Sequence, residues 1–225
     1  MHIEPGLVSE SKLWLSYVTA AGAGTYAIKL SLEAIRERGP LSLVMRTGLA
    51  AALVFCFFEV LPHYPVGVSE VHLILGTTLF LLLGAAPASL GLALGLLVQG
   101  LFFAPFDLPQ FSMNVTTLLV PLFAIQAIAA RVIRPDTAYV DLTYRQALAL
   151  STTYQAGIVA WVAFWALYGN GVTVTNIASI ASFGGAYLLV IVVEPLADLA
   201  VLAIAKVLHP AKDSRLLARR LYHPA

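Results

Sequence analysis

The sequence predicts an all-α, polytopic integral membrane protein of about seven transmembrane helices, on three observations. The 225 residues are 60% hydrophobic and only 11% charged, less than half the charged share of an ordinary soluble domain. Positions 71–106 contain no Asp, Glu, Lys or Arg. The basic residues, finally, fall in alternate loops along the chain.

Seven apolar segments follow in order: about 12–33, 43–61, 71–84, 88–104, 114–133, 146–168 and 177–208. The charge-free stretch divides because one helix of that length would reach roughly 54 Å at about 1.5 Å per residue, against a hydrocarbon core of about 30 Å. The natural break is Pro87, within Gly84-Ala-Ala-Pro87, since proline does not continue a helix. The third and fourth segments are shorter than the usual span of about 17–25 residues. Short paired segments mark helices broken around a site, and they are equally read as tilted helices. The predicted organisation is one transmembrane domain, 1–225, with an N-terminal loop 1–11, a helical bundle 12–208 and a basic tail 209–225.

The loops orient the bundle. Arg36, Arg38 and Arg46 lie between the first two segments, and Arg131, Arg134 and Arg145 between the fifth and sixth. Lys206, Lys212, Arg215, Arg219 and Arg220 flank or follow the last. Loops 62–70, 105–113 and 169–176 carry no Lys or Arg. With seven spans the two sets fall on opposite sides, Lys12 excepted, so the positive-inside rule places the N-terminus outside and the C-terminus in the cytoplasm. Residues 1–11 lack the basic start and apolar core of a signal peptide, so the expected mature protein begins at Met1. The tail, Lys212 to Arg220, is expected to sit against the anionic cytoplasmic lipid surface.

Several chemistries are excluded. The single cysteine, Cys56, rules out a disulfide framework and a thiolate zinc cluster. A net charge of +1 implies no nucleic-acid partner. No phosphate-binding loop is present, so ATP hydrolysis of that kind would belong to a partner. Glu59 and Glu194 lie near or within apolar segments, where carboxylates face the bundle interior with a partner. No nucleophile or second catalytic group accompanies either, and the chain is not expected to be an enzyme.

The outer side carries Met1, His2, Glu4, His63, Ser69, Glu70, His72, Asp107 and Asn114. A histidine at position two offers the terminal amine, its own amide nitrogen and its imidazole Nδ1. These close a five- and a six-membered chelate ring in one plane, which suits Ni(II) or Cu(II). Met1 is expected to be retained, because its removal requires a small second residue. One more imidazole completes a four-nitrogen plane, and His72, leading the third segment, is the best donor. A lone histidine at a helix start is also read as an interfacial, hydrogen-bonded residue. His63 is read that way, and His209 and His223 fall on the other side.

These residues resemble the metal-binding membrane subunit (S component) of cobalt and nickel energy-coupling-factor transporters, the CbiM/NikM type. Members open Met-His-Ile with a nearby Gly, as does Met1-His2-Ile3-Glu4-Pro5-Gly6. The family's Pro-Val turn, Thr-Ser-Gly-His-Leu motif and Gly-rich helix are similar to Pro65-Val66-Gly67-Val68-Ser69-Glu70-Val71-His72-Leu73 and to Gly76, Gly84 and Leu97-Val98-Gln99. Met113-Asn114-Val115 resembles its Ala-Asn-Val, and Glu194 falls at its intramembrane Glu. The likeness is densest over 1–6 and 63–118. The chain departs at Ser69-Glu70-Val71, at Glu4-Pro5, in a turn one residue shorter before His72, and at Tyr187, where many members have His.

The resemblance implies Ni(II) or Co(II) as the carried ligand, held by Met1, His2 and His72. It implies that Asn114 orients the N-terminal loop, and it sets Ser69 and Glu70 beside the site, Glu70 adding a carboxylate. It implies a prokaryotic cell membrane and, as partners, a transmembrane coupling subunit, two cytoplasmic ATPases and a small two-helix accessory membrane protein, separate or fused. No fused extension is visible after residue 208. Two other readings stand beside substrate capture for metal uptake. One is an S component for an organic solute such as a vitamin, which predicts an aromatic-lined outer pocket and no need of a free N-terminus. The other is a non-transporting metal sensor.

Overall fold

The computed structural model describes residues 3–208 and 214–224. After a 3-10 turn at Glu10–Lys12, the helices are α1 (Trp14–Arg38), α2 (Pro40–Glu59), α3 (Gly76–Leu83), α4 (Ala85–Phe102), α5 (Phe111–Val132), α6 (Tyr144–Asn170), α7 (Val174–Val207) and the short α8 (Arg219–Tyr222). A hairpin of β1 (Tyr64–Val66) and β2 (Ser69–Val71) separates α2 from α3. Among the described residues, five stretches are long and apolar enough to cross a membrane: α2, α4, Pro105–Val132, α6 and α7. Leu, Ile and Val side chains such as Val192 and Leu189 stand exposed on their outer faces, as expected where the solvent is lipid.

The predicted third helix, 71–84, is corrected. Its first half is not helical, and α3 covers only Gly76–Leu83, about 12 Å of helix. Leu75, just before it, lies in the left-handed region with φ 55 and ψ 33. The amides of Ile74 and Leu75, which a longer helix would bond internally, go instead to the Glu194 carboxylate of α7. The predicted break at Pro87 is also corrected: α3 and α4 divide three residues earlier, at Gly84 (φ 91), and Pro87 lies in the first turn of α4, where a proline is tolerated. Pro195 lies within the continuous helix α7.

The core is a shell of buried apolar side chains around α3, among them Leu79, Leu81, Leu83, Leu118, Ile158, Val162 and Trp165. The close α2–α4 contact depends on Gly91 and Gly95, where a Cβ would run into Ala50 and Val54, the small-residue packing typical of membrane helices.

The connections gather at two ends. At one, Lys12 Nζ donates to the Tyr168 and Gly169 carbonyls at 2.8 and 3.1 Å, and the N-terminal loop lies over α6 so closely that a Cβ on Gly169 would overlap the Leu7 carbonyl. At the other, the tail closes on the bundle. Arg38 donates to Leu217 O at 2.6 Å, Ser42 to Arg215 O at 2.9 Å, and Ala218 N to Leu82 O at 2.7 Å. The buried Arg46 donates to Leu83 O at 2.8 Å, so the last carbonyls of α3 are satisfied by α2 and the tail.

Candidate metal centre

The hairpin positions the site. Val66 pairs with Ser69 across a two-residue turn whose Gly67 has φ 64. A positive φ at the first central position alone is the requirement of a II′ hairpin turn. A Cβ on Gly67 would overlap the Ser179 carbonyl of α7, so the turn is seated directly on that helix.

The N-terminal segment adds to this hairpin. Ile3 forms an antiparallel bridge with Ser69, Glu4 N donates to Val68 O at 3.2 Å, and Ile3 N donates to Asn114 Oδ1 at 2.9 Å. Ile3 itself is fully buried. Ile3 and Glu4 are thus laid along the hairpin, and Ile3 is tied to the first turn of α5.

His72 follows β2 by one residue and is 2% exposed. The Phe58 ring meets it edge-on, with centroids 4.6 Å apart, and the His63 ring lies 6.4 Å away. His63 is exposed, with Nδ1 at 3.2 Å from Leu61 O. Ser69 and Asn114 are buried and Glu70 is half-buried. The structure therefore brings together Ile3, Ser69, His72 and Asn114. Met1 and His2 lie outside the described residues, so of the expected ligands His72 alone is placed. Among the described residues no three His, Cys, Asp or Glu side chains converge as a metal site.

Below His72 the segment 73–75 meets a polar group that sequence reasoning largely missed. The buried Glu194 accepts Ile74 N at 2.5 Å and Leu75 N at 2.9 Å on one oxygen, and the Gln155 side-chain amide of α6 on the other. One turn further along α7, Asp198 accepts the Thr78 hydroxyl. Tyr154 and Tyr187 are fully buried, and Tyr154 fills the space above Gly76 that a Cβ would need. The available signal was polar residues within apolar helices, Gln155 in α6 and Asp198 four residues beyond Glu194, on the same helical face.

The sequence profile of a family described as "CbiM: Cobalt uptake substrate-specific transmembrane region" matches residues 2–211. No curated protein matches the sequence. Two solved structures share the fold. A truncated transition metal transporter is 20% identical, with a TM-score of 0.68 over 93% of this chain and 99% of that one. A transition metal transporter is 19% identical, with a TM-score of 0.67 over 96% of each chain.

Proposed function

The chain belongs to the CbiM family of cobalt-uptake transmembrane proteins, and from that premise we propose that it is the substrate-capture subunit of an ATP-driven, energy-coupling-factor importer for Ni(II) or Co(II). The metal is held by four nitrogens: the Met1 amine, the His2 amide and imidazole, and His72. The observation that carries this reading is the tether of Ile3. Its bridge to Ser69 and its hydrogen bond to Asn114 fix Ile3, the residue after His2, against β2 at a point three residues before His72. With the amine of Met1 and the amide and imidazole of His2, the buried His72 imidazole completes on this reading a four-nitrogen donor set of the planar kind that suits Ni(II).

The expected topology also has support. α3 supplies only about 12 Å of helix, so on this reading the seventh crossing is completed by the non-helical residues 72–75 that lead into it. α1, at 25 residues, is long enough for another. The N-terminus then lies outside, with the hairpin, and the tail lies in the cytoplasm. The two structures that share the fold are of transition metal transporters, in keeping with this cargo. The coupling subunit and two ATPases supply the energy, with the small accessory membrane protein as a further partner.

The test exploits the terminal amine. One residue placed before Met1, or acetylation of Met1, is expected to abolish tight Ni(II) binding measured by calorimetry, as are His2→Ala and His72→Ala. A C-terminal tag should leave binding intact. Stoichiometric metal on an N-terminally extended chain would refute the chelate. Binding should also weaken as pH falls through roughly 8 to 6, because the amine (about 7.7–8.0) and imidazole (about 6.5) must lose their protons to ligate.

A further inference from the structure

We propose that Glu194 is a positioning residue for the metal site: its carboxylate on α7 holds the His72 imidazole in place by fixing the backbone two and three residues beyond it. This rests on the metal-capture reading above.

The argument begins with a conflict in the local sequence. His72-Leu-Ile-Leu75 is apolar and leads into a helix, so its simplest fate is to continue α3 by another turn. In that conformation the Leu75 amide would bond to the carbonyl four residues earlier and the Ile74 amide would lie in the unbonded first turn, and the His72 side chain would turn with the helix. The structure does otherwise. Leu75 is the one described non-glycine residue with positive φ, a conformation in which its Cβ crowds the following carbonyl oxygen. A buried carboxylate resolves the conflict. Glu194 is fully buried and takes both amides on a single oxygen, while Gln155 of α6 holds the other oxygen. The three donors come from two different elements, so the carboxylate cannot swing without breaking contacts on both.

The second half of the clamp is steric. Gly76, the first residue of α3, lies so close to the Tyr154 ring that a Cβ would overlap it. Glu194, Gln155 and Tyr154 therefore close around 74–76 from α6 and α7, and β1 holds 69–71 across the hairpin. His72 lies between the two anchors. A carboxylate is expensive inside a membrane protein and is kept there with partners, and one oxygen of this one holds the segment next to a ligand.

The experiment uses the full chain with its native N-terminus in lipid nanodiscs, titrated with NiCl2. It reads the dissociation constant by calorimetry and the visible absorption of the bound ion. Glu194→Met keeps the volume and removes both acceptors. It should weaken Ni(II) binding 10- to 100-fold and shift the absorption band. Glu194→Gln, which keeps an acceptor oxygen, should lose less. Adding Leu75→Gly to Glu194→Met should recover part of the loss, because glycine takes a positive φ without strain. A residue needed only for bundle integrity would gain nothing from that change.

Wild-type affinity and spectrum in a folded Glu194→Met chain would overturn the proposal, as would no recovery in the double variant. Should Glu194→Met not fold, hydrogen exchange on the unaltered chain decides. Protection of the Ile74 and Leu75 amides to the level of α7 supports the clamp, and exchange at open-loop rates overturns it. If the unaltered chain takes up no Ni(II), the metal-capture reading fails, and the same amide protection still reports on the clamp.

Discussion

At the scale of single residues, the site depends on backbone groups as much as on ligands. Asn114 contributes one oxygen, aimed at the Ile3 amide across 111 residues of chain. Both partners are buried, so losing the acceptor leaves a donor stranded, at about 1–3 kcal/mol, and frees the segment that carries the N-terminus. Asn114→Leu is therefore expected to weaken Ni(II) binding by 10- to 100-fold while the helical circular-dichroism signal holds, and unchanged affinity would remove Asn114 from the site. Lys12, the exception to the charge pattern, has a similarly local explanation. Its ammonium caps the carbonyl end of α6 at Tyr168 and Gly169 and lies 5.4 Å from the Tyr168 ring centroid. A cation at a helix C-terminus is favoured, so it serves the N-terminal loop rather than a charged cytoplasmic face.

Among the elements, the hairpin and α3 mark where reading the sequence succeeds and where it stops. Lengths and apolar runs place α1, α2 and α4 to α7 within a few residues, because lipid demands long continuous helices. They fail at 71–75, since a short apolar run looks the same whether it is helical or extended and buried. What decides there is Glu194, some 120 residues away, and no local pattern reports it. His72 and Asn114 were legible through their motifs. Phe58, which packs on His72, and Gln155, which braces Glu194, were not, because an aromatic or an amide in an apolar helix has no spacing that names its partner.

The turn at Gly67 carries a separable prediction at this scale. Gly67→Ala must accept both a positive φ and an overlap with the Ser179 carbonyl of α7. Gly171 has a comparable φ of 69 with nothing within 4 Å of a Cβ, so Gly171→Ala isolates the backbone part, about 1 kcal/mol. Gly67→Ala should cost about 1–3 kcal/mol more, read as a lower unfolding temperature in detergent, with weaker Ni(II) binding as the hairpin lifts. Equal melting of the two variants would mean that α7 does not seat the hairpin.

For the whole molecule, polarity is distributed by end. One end holds the hairpin, the N-terminal segment and the loops without Lys or Arg. The other holds Arg38, Arg46, Arg134, Arg219 and Arg220, with the tail latched to α2 and α3 and Lys206 bridging to Asp141 at 2.8 Å. A metal site that needs a free N-terminus can capture from outside only if the first end faces outward. The charge bias argues that it does, and cysteine labelling of intact cells tests it. In a Cys56→Ala background, Val172→Cys places a thiol on the α6–α7 loop, at a position 81% exposed, and Leu216→Cys places one in the tail. A membrane-impermeant maleimide should label the first in intact cells and the second only after permeabilisation. The reverse pattern would put the chelate in the cytoplasm, and capture for import would then have to be abandoned along with the topology.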